Sequence, residues 1–222
     1  MKDSVAGIDY RFENSALLDE ALTHRSAGAV NNERLEFLGD SLRGAIVSTL
    51  LFRRFPDANE GDLTRMRARL VRRTSLASLA QGIDLGRAVT MDSGVLKSGG
   101  VHNASILADA LEAVLGAIYL DGGFDACQEV IRALFQPLIE ALPEPEALKD
   151  PKTRLQEWLQ ARARPLPVYE LVDERGPAHD KTFSVSCTLE HGERTDAEGS
   201  SRGGAEQSAA KAMLKRLEEA SQ

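Results

Sequence analysis

The sequence predicts two units joined by a short linker: an all-α unit over residues 1–142 and a small α+β unit of α-β-β-β-α order over 151–220. Three observations carry that expectation. Apolar residues recur at three- and four-residue spacing through 35–51 and again through 106–119, the period of a helix. Strict alternation appears only later, where Phe183, Val185, Cys187 and Leu189 interleave with Thr182, Ser184, Ser186 and Thr188, the period of a half-buried strand. Between the two regimes, Pro143-Glu144-Pro145-Glu146 breaks the composition and reads as part of a linker over 143–150.

In chain order, two short apolar segments lie around Tyr10–Phe12 and residues 16–22, followed by Thr23-His24-Arg25-Ser26. A long helix is expected from about 32 to 55, where Pro56 stops it. At 1.5 Å per residue it would be roughly 33 Å long, enough to cross a small domain. Its apolar stripe is Leu35, Leu38, Leu42, Ile46, Leu50 and Leu51. Residues 56–62 read as a polar turn. A basic helix over 63–73 follows, with Arg65, Arg69, Arg72 and Arg73 on one face, either solvated or placed to meet phosphate or acids. A further helix covers 75–81 and ends at Gly82, and the Gly/Ser-rich stretch 93–103 reads as a loop. The helix at 105–120 is apolar around most of its circumference and should be buried. One more helix is expected over 124–142.

The second unit has a different grammar. Residues 152–163 form an amphipathic helix through Leu155, Trp158 and Leu159, then strands are expected at 168–174, 182–189 and 193–198. Gly199-Ser200-Ser201-Arg202 opens a last helix with Ala205, Ala209, Met213, Leu214 and Leu217 on its core face.

Composition excludes several classes. No apolar run reaches 18 residues and no signal-like N-terminus is present, so a soluble, cytoplasmic protein without a membrane partner is expected. Cys127 and Cys187 have no metal-ligand spacing and read as reduced core residues, and the four histidines show no zinc pattern. The net charge of −7 argues at first against a nucleic-acid partner. Most of it, a net of −6, falls in residues 1–148, where acids that bind metal would be neutralised in the working protein.

Those acids carry the chemistry. Glu33, Glu36 and Asp40 share one face of the long helix, an arrangement that mildly destabilises it. Alone they fit a solvated acidic face as well as a site. Asp109 and Glu112 are harder to dismiss, because they sit three apart on the apolar helix and neither has a Lys or Arg neighbour within it. A buried unpaired carboxylate costs several kcal/mol, so this pair calls for a hard divalent cation such as Mg²⁺, which prefers oxygen ligands.

The runs NERLEFLGDS (32–41) and SILADALEAVLGAIYLDGG (105–123), with THRS at 23–26 and EGDLTRMRARLVR at 60–72, resemble the bacterial ribonuclease III family. Residues 151–220 resemble a double-stranded RNA-binding domain through GPAHDKTF (176–183) and the helix start SSRxxAEQxAA (200–210). The resemblance covers nearly the whole chain. It implies a dimeric, all-α catalytic domain and an endoribonuclease that cuts double-stranded RNA by Mg²⁺-dependent hydrolysis, with Mn²⁺ as a substitute. The products would carry 5′-phosphates, 3′-hydroxyls and short 3′ overhangs. Ribosomal RNA precursors and structured messenger RNAs are the implied substrates.

By the same resemblance Glu36, Asp40, Asp109 and Glu112 bind metal, with Asp40 and Glu112 the most critical for cleavage, and Glu33 and Glu60 are supporting acids. Phe37 inserts into the second copy of a homodimer. Gln156, Glu157, His179, Ser201 and Arg202 contact RNA. Two departures stand out: Arg202 is followed by Gly203 and Gly204 where the family usually carries a basic cluster, and Val101-His102-Asn103-Ala104 replaces a loop that usually holds arginines. The alternative is a non-cleaving regulator that binds duplex RNA, for which buried like charges have no use. A small-molecule phosphohydrolase would not need the second unit.

Overall fold

The computed structural model describes residues 3–143, 149–177 and 179–220 and separates into two compact units, Met1–Pro143 and Glu144–Gln222. Most of the expected linker, residues 144–148, and Ala178 of the 176–183 loop lie outside the described residues.

The first unit is helical: α1 (Ser15–Ala21), α2 (Glu33–Arg54), α3 (Glu60–Val71), α4 (Arg73–Gly82), α5 (Ser93–Lys97) and α6 (Ala104–Glu140). Its core is the crossing of α2 and α6. From Ile106 to Ile118, every residue of α6 except Asp109 is buried. This matches the apolar circumference read from the sequence. The helix bends where Gly123 takes φ 80°, a left-handed conformation that glycine alone adopts cheaply, and so spans both helices expected over 105–142.

Where α2 meets α6, the backbones nearly touch. A Cβ on Gly39 would lie 1.8 Å from the Glu112 carbonyl oxygen, and one on Gly116 would lie 2.3 Å from that of Leu35. The buried face of α2 therefore runs Leu35, Gly39, Arg43, Ile46, Val47 and Leu51. Leu38, Leu42 and Leu50, placed on the stripe from sequence, are only half-buried. The periodicity was correct, but the face is rotated toward the glycine.

Three other expectations are corrected. The turn expected over 56–62 ends sooner, because Asn59 caps α3 by accepting from the Asp62 N–H at 2.9 Å. The basic helix breaks at Arg72, whose extended backbone (ψ 148°) ends α3 and caps α4. Arg65 and Arg69 thus belong to one helix and Arg73 to the next. Within 93–103, Asp92 accepts from the Gly94 and Val95 N–H groups and starts the short α5. Among the described residues no helix is long and apolar enough to cross a membrane.

The second unit follows the expected order: α7 (Pro151–Gln160), β1 (Val168–Arg175), β2 (Thr182–Thr188), β3 (Arg194–Gly199) and α8 (Arg202–Glu219). The sheet is antiparallel in the order β1-β2-β3, with a register shift between Leu171 and Asp173. Leu155 and Leu159 of α7 meet Ala209, Ala210, Met213, Leu214 and Leu217 of α8 over Cys187 and Leu189. Both cysteines are free and buried, as expected. Ser186, expected to face outward, is buried on the central strand, flanked in register by Glu170 and Asp196.

Candidate active site

The site is built by the close crossing of α2 and α6. Asn103 caps α6, its side chain accepting from the Ser105 and Ile106 N–H groups, so that the helix starts one and a half turns before Asp109. Gly39 and Gly116 let the two backbones approach. Glu36 projects from α2, and Asp109 and Glu112 from α6. The result is that one carboxylate oxygen from each of Glu36, Asp109 and Glu112 lies within 4.8 Å of the other two.

The three acids are withdrawn from water to different degrees. Glu36 and Asp109 are half-buried and Glu112 is 8% exposed. Burial is the largest influence on all three carboxyls and raises each above its ordinary range. At Glu36 the neighbouring charges of Asp109, Glu33 and Asp40 add to it. Glu112 is pushed up to about 7 by burial, against the opposing pull of Arg43. Arg73, His24 and Arg25 partly offset the effect at Asp109. Three carboxyls whose ionisation burial disfavours, converging on one point, match the preference of a hard divalent cation for clustered oxygen ligands.

The other predicted acids fall outside this trio. Asp40, a turn after Glu36, is turned to Arg43, and its side chain is 59% exposed. Arg43 links it to the trio, since its Nη1 also donates to Glu112 Oε1 at 2.7 Å. Glu33 lies at the mouth of the same cleft as Glu36 and Asp109, with Arg25 at 3.7 Å. Glu60 lines a different cleft, between α2 and α3, and accepts from the Thr64 hydroxyl at 2.8 Å. His24 shares the Asp109 cleft and meets the Ser26 hydroxyl at 2.9 Å.

Arg43 is the residue that sequence reasoning missed. Glu112 was taken to lack a basic partner because none lies within its own helix, and the partner comes from α2. The signal was legible: Leu35, Gly39 and Arg43 are spaced by four, so an arginine continues the buried row.

In the second unit the predicted RNA contacts all lie on the surface. Glu157 accepts from Lys149 Nζ at 2.6 Å, and Arg202 Nε donates to Glu206 at 3.1 Å. Ser201 caps α8, its hydroxyl accepting from the Gly204 N–H at 3.1 Å. Gln156 and His179 are exposed.

Comparison with known proteins places this geometry. Residues 14–138 match a family model described as Ribonuclease-III-like, and residues 151–217 match the double-stranded RNA binding motif. The chain is 52% identical to ribonuclease 3 of Alkalilimnicola ehrlichii, over 96% of this chain and 93% of the relative. It is 54% identical to ribonuclease 3 of Xylella fastidiosa, over 95% and 93%. Among solved structures, it is similar to the nuclease domain of ribonuclease III from Campylobacter jejuni, which has a region involved in dimer formation. That match has a TM-score of 0.56 and 42% identity, and covers 57% of this chain and 90% of the other.

Proposed function

Since the chain belongs to the ribonuclease III family, we propose that Glu36, Asp109 and Glu112 hold the divalent ion with which it hydrolyses double-stranded RNA, and that Mg²⁺ is that ion, with Mn²⁺ able to replace it. The chain is an endoribonuclease of ribonuclease III type, a hydrolase acting on duplex RNA. Residues 1–142 are the catalytic unit, 143–150 the linker and 151–220 the RNA-binding unit. The observation that carries the reading is the convergence of three carboxylate oxygens from α2 and α6 within 4.8 Å.

The protein's own residues then have distinct tasks. Glu36, Asp109 and Glu112 supply charged oxygens to the ion. Asp40, exposed beside them, faces the solvent from which an attacking water comes and orients it or accepts its proton. When bound, a divalent ion acidifies water and offsets charge on the phosphoryl oxygens and the leaving oxygen. Cleavage at the 3′-oxygen leaves a 5′-phosphate and a 3′-hydroxyl. Glu33, in the same cleft, adds negative potential beside Glu36, while Glu60 supports the neighbouring cleft between α2 and α3.

Substrate choice lies in the second unit. Duplex RNA offers a shallow minor groove lined with 2′-hydroxyls and is read by shape. Gln156 and Glu157 on α7, His179 in the loop, and Ser201 and Arg202 at the start of α8 are the contacts, with the α8 N-terminus turned to phosphate. Phe37 and Phe52 are 78% and 70% exposed on α2, large apolar side chains that a second copy of the chain would cover. Two copies would cut opposite strands and leave short 3′ overhangs. Ribosomal RNA precursors and structured messenger RNAs are the fitting substrates in the cytoplasm.

The test uses a long perfect RNA duplex with Mg²⁺ and then with Ca²⁺, on wild type and Glu112→Ala. Cutting to short duplexes in Mg²⁺, lost in the variant while binding persists, is the expected result. Binding without cutting by wild type in Mg²⁺ would overturn the reading in favour of a non-cleaving regulator.

A further inference from the structure

One side chain at the site belongs to no acid and no RNA contact. Arg43 lies on the buried face of α2, where its neighbours in the row are Leu35, Gly39, Ile46, Val47 and Leu51. Its side chain is 6% exposed, and burying a guanidinium is costly unless its donors are engaged by acceptors. Here they are. Nη2 donates to Asp40, and Nη1 donates to Glu112 Oε1 at 2.7 Å and to the Val71 carbonyl at 3.3 Å. One rigid fork therefore ties α2 to α6 and to the end of α3.

Plain core packing does not account for this choice. A leucine in the row would need no partner, and it would leave Glu112 buried beside Glu36 and Asp109 with no opposing charge. We propose that Arg43 is a built-in counter-cation of the acid site: it holds Glu112 and Asp40 in place before metal arrives and lowers the metal affinity of the site by competing for the Glu112 carboxylate. The proposal rests on the acids being the metal site. Arg43 is a positioning residue, because it acts through Glu112 and Asp40.

The competition has a definite sign. A fixed positive charge hydrogen-bonded to a ligand repels an incoming divalent ion and occupies one of that ligand's oxygens. Removing the charge should tighten Mg²⁺ binding by roughly tenfold or more. It should also leave the metal-free protein less stable, because the acids then repel one another uncompensated, while metal-saturated protein recovers most of the loss.

The experiment is calorimetric titration of the full-length protein with Mg²⁺, without RNA, at pH 8.5, where protons compete little for the carboxylates. Wild type, Arg43→Met, Arg43→Lys and Glu112→Gln are compared, and melting temperature is read with and without Mg²⁺. Tighter binding and a larger Mg²⁺-induced rise in melting temperature for Arg43→Met are expected. Arg43→Lys, which keeps the charge but loses the fork, should bind within about threefold of wild type. Unchanged or weaker binding by Arg43→Met would overturn the proposal and leave the metal reading standing. Wild type that binds no Mg²⁺ would overturn both. If Arg43→Met does not fold, the Arg43 Nε–H resonance of wild type decides, since it must move as Mg²⁺ saturates the site; an unmoved resonance overturns the proposal.

Discussion

Replacing Gly39 by alanine should cost activity more than it costs stability. On helix propensity alone the change is favourable, by about 1 kcal/mol. Sterically it is not, because the new methyl would stand 1.8 Å from the Glu112 carbonyl oxygen, 2.6 Å from its carbon and 3.0 Å from the Gly116 nitrogen. All three are backbone atoms of α6, so no rotamer change relieves the contact. Reaching ordinary contact requires the helices to separate by about 1.5 Å, and overpacking of this kind costs about 1–3 kcal/mol. The two effects nearly cancel at the lower end, and a net loss of about 2 kcal/mol remains at the upper. The separation, however, falls between Glu36 on one helix and Asp109 and Glu112 on the other. A misplacement of about 1 Å at a reacting centre can cost about a hundredfold in rate. Duplex cleavage under single-turnover conditions should therefore fall about a hundredfold, while urea unfolding shows a loss no larger than about 2 kcal/mol. Gly82→Ala is the control, since nothing lies within 4 Å of its new methyl; it should leave cleavage unchanged. A Gly39→Ala enzyme that is more stable than wild type and cuts normally would refute the claim that this crossing sets the site.

Three further outcomes can be checked. Glu112 has a carboxyl pushed up from 4.5 to about 7, so in metal-free protein its stabilising contribution is full below about pH 4.5 and is lost as pH rises through 7; the difference is about 3 kcal/mol. Urea unfolding at pH 5.5 and 8.5 should show about 2 kcal/mol of that loss in wild type, the part that falls above pH 5.5, and Glu112→Gln should show much less of it. Gly203 has open space where a side chain would go, so Gly203→Lys should tighten duplex RNA binding and steepen its dependence on salt by about one counterion, as read by fluorescence anisotropy at several salt concentrations; an unchanged slope would mean that the start of α8 does not meet phosphate. Phe37→Asp should shift the protein toward monomer in analytical ultracentrifugation, because the 78% exposed ring would no longer have an apolar role in a second copy; unaltered sedimentation would remove Phe37 from that interface.

The division of labour between sequence and three-dimensional packing is clearest on α2. Spacing alone located the helix to within a residue at each end, and alternation located β2, because one repeat period decides each. Spacing also identified Asp109 and Glu112 as anomalous, since two acids on an apolar helix contradict their surroundings whatever lies opposite. It could not say what lies opposite. The apolar stripe was drawn through Leu38 and Leu42 because hydrophobicity ranks leucine above glycine, yet contact between helices depends on how closely backbones approach. The smallest residue marks the tightest crossing, and Gly39 and Gly116 rather than the leucines hold the buried line. Arg43 was hidden by the same bias, because a charge was assumed to face water. The short capped elements escaped too: Asn59 and Asp92 start helices within stretches whose composition reads as turn, and a cap is a single side-chain hydrogen bond with no periodicity to reveal it. What the sequence concealed is thus a consistent set, made of close approaches, caps and one internal ion pair. The acid site depends on members of that set, for without the glycine crossing Glu36 would not meet Glu112, and without Arg43 the buried Glu112 would face the other acids with no opposing charge.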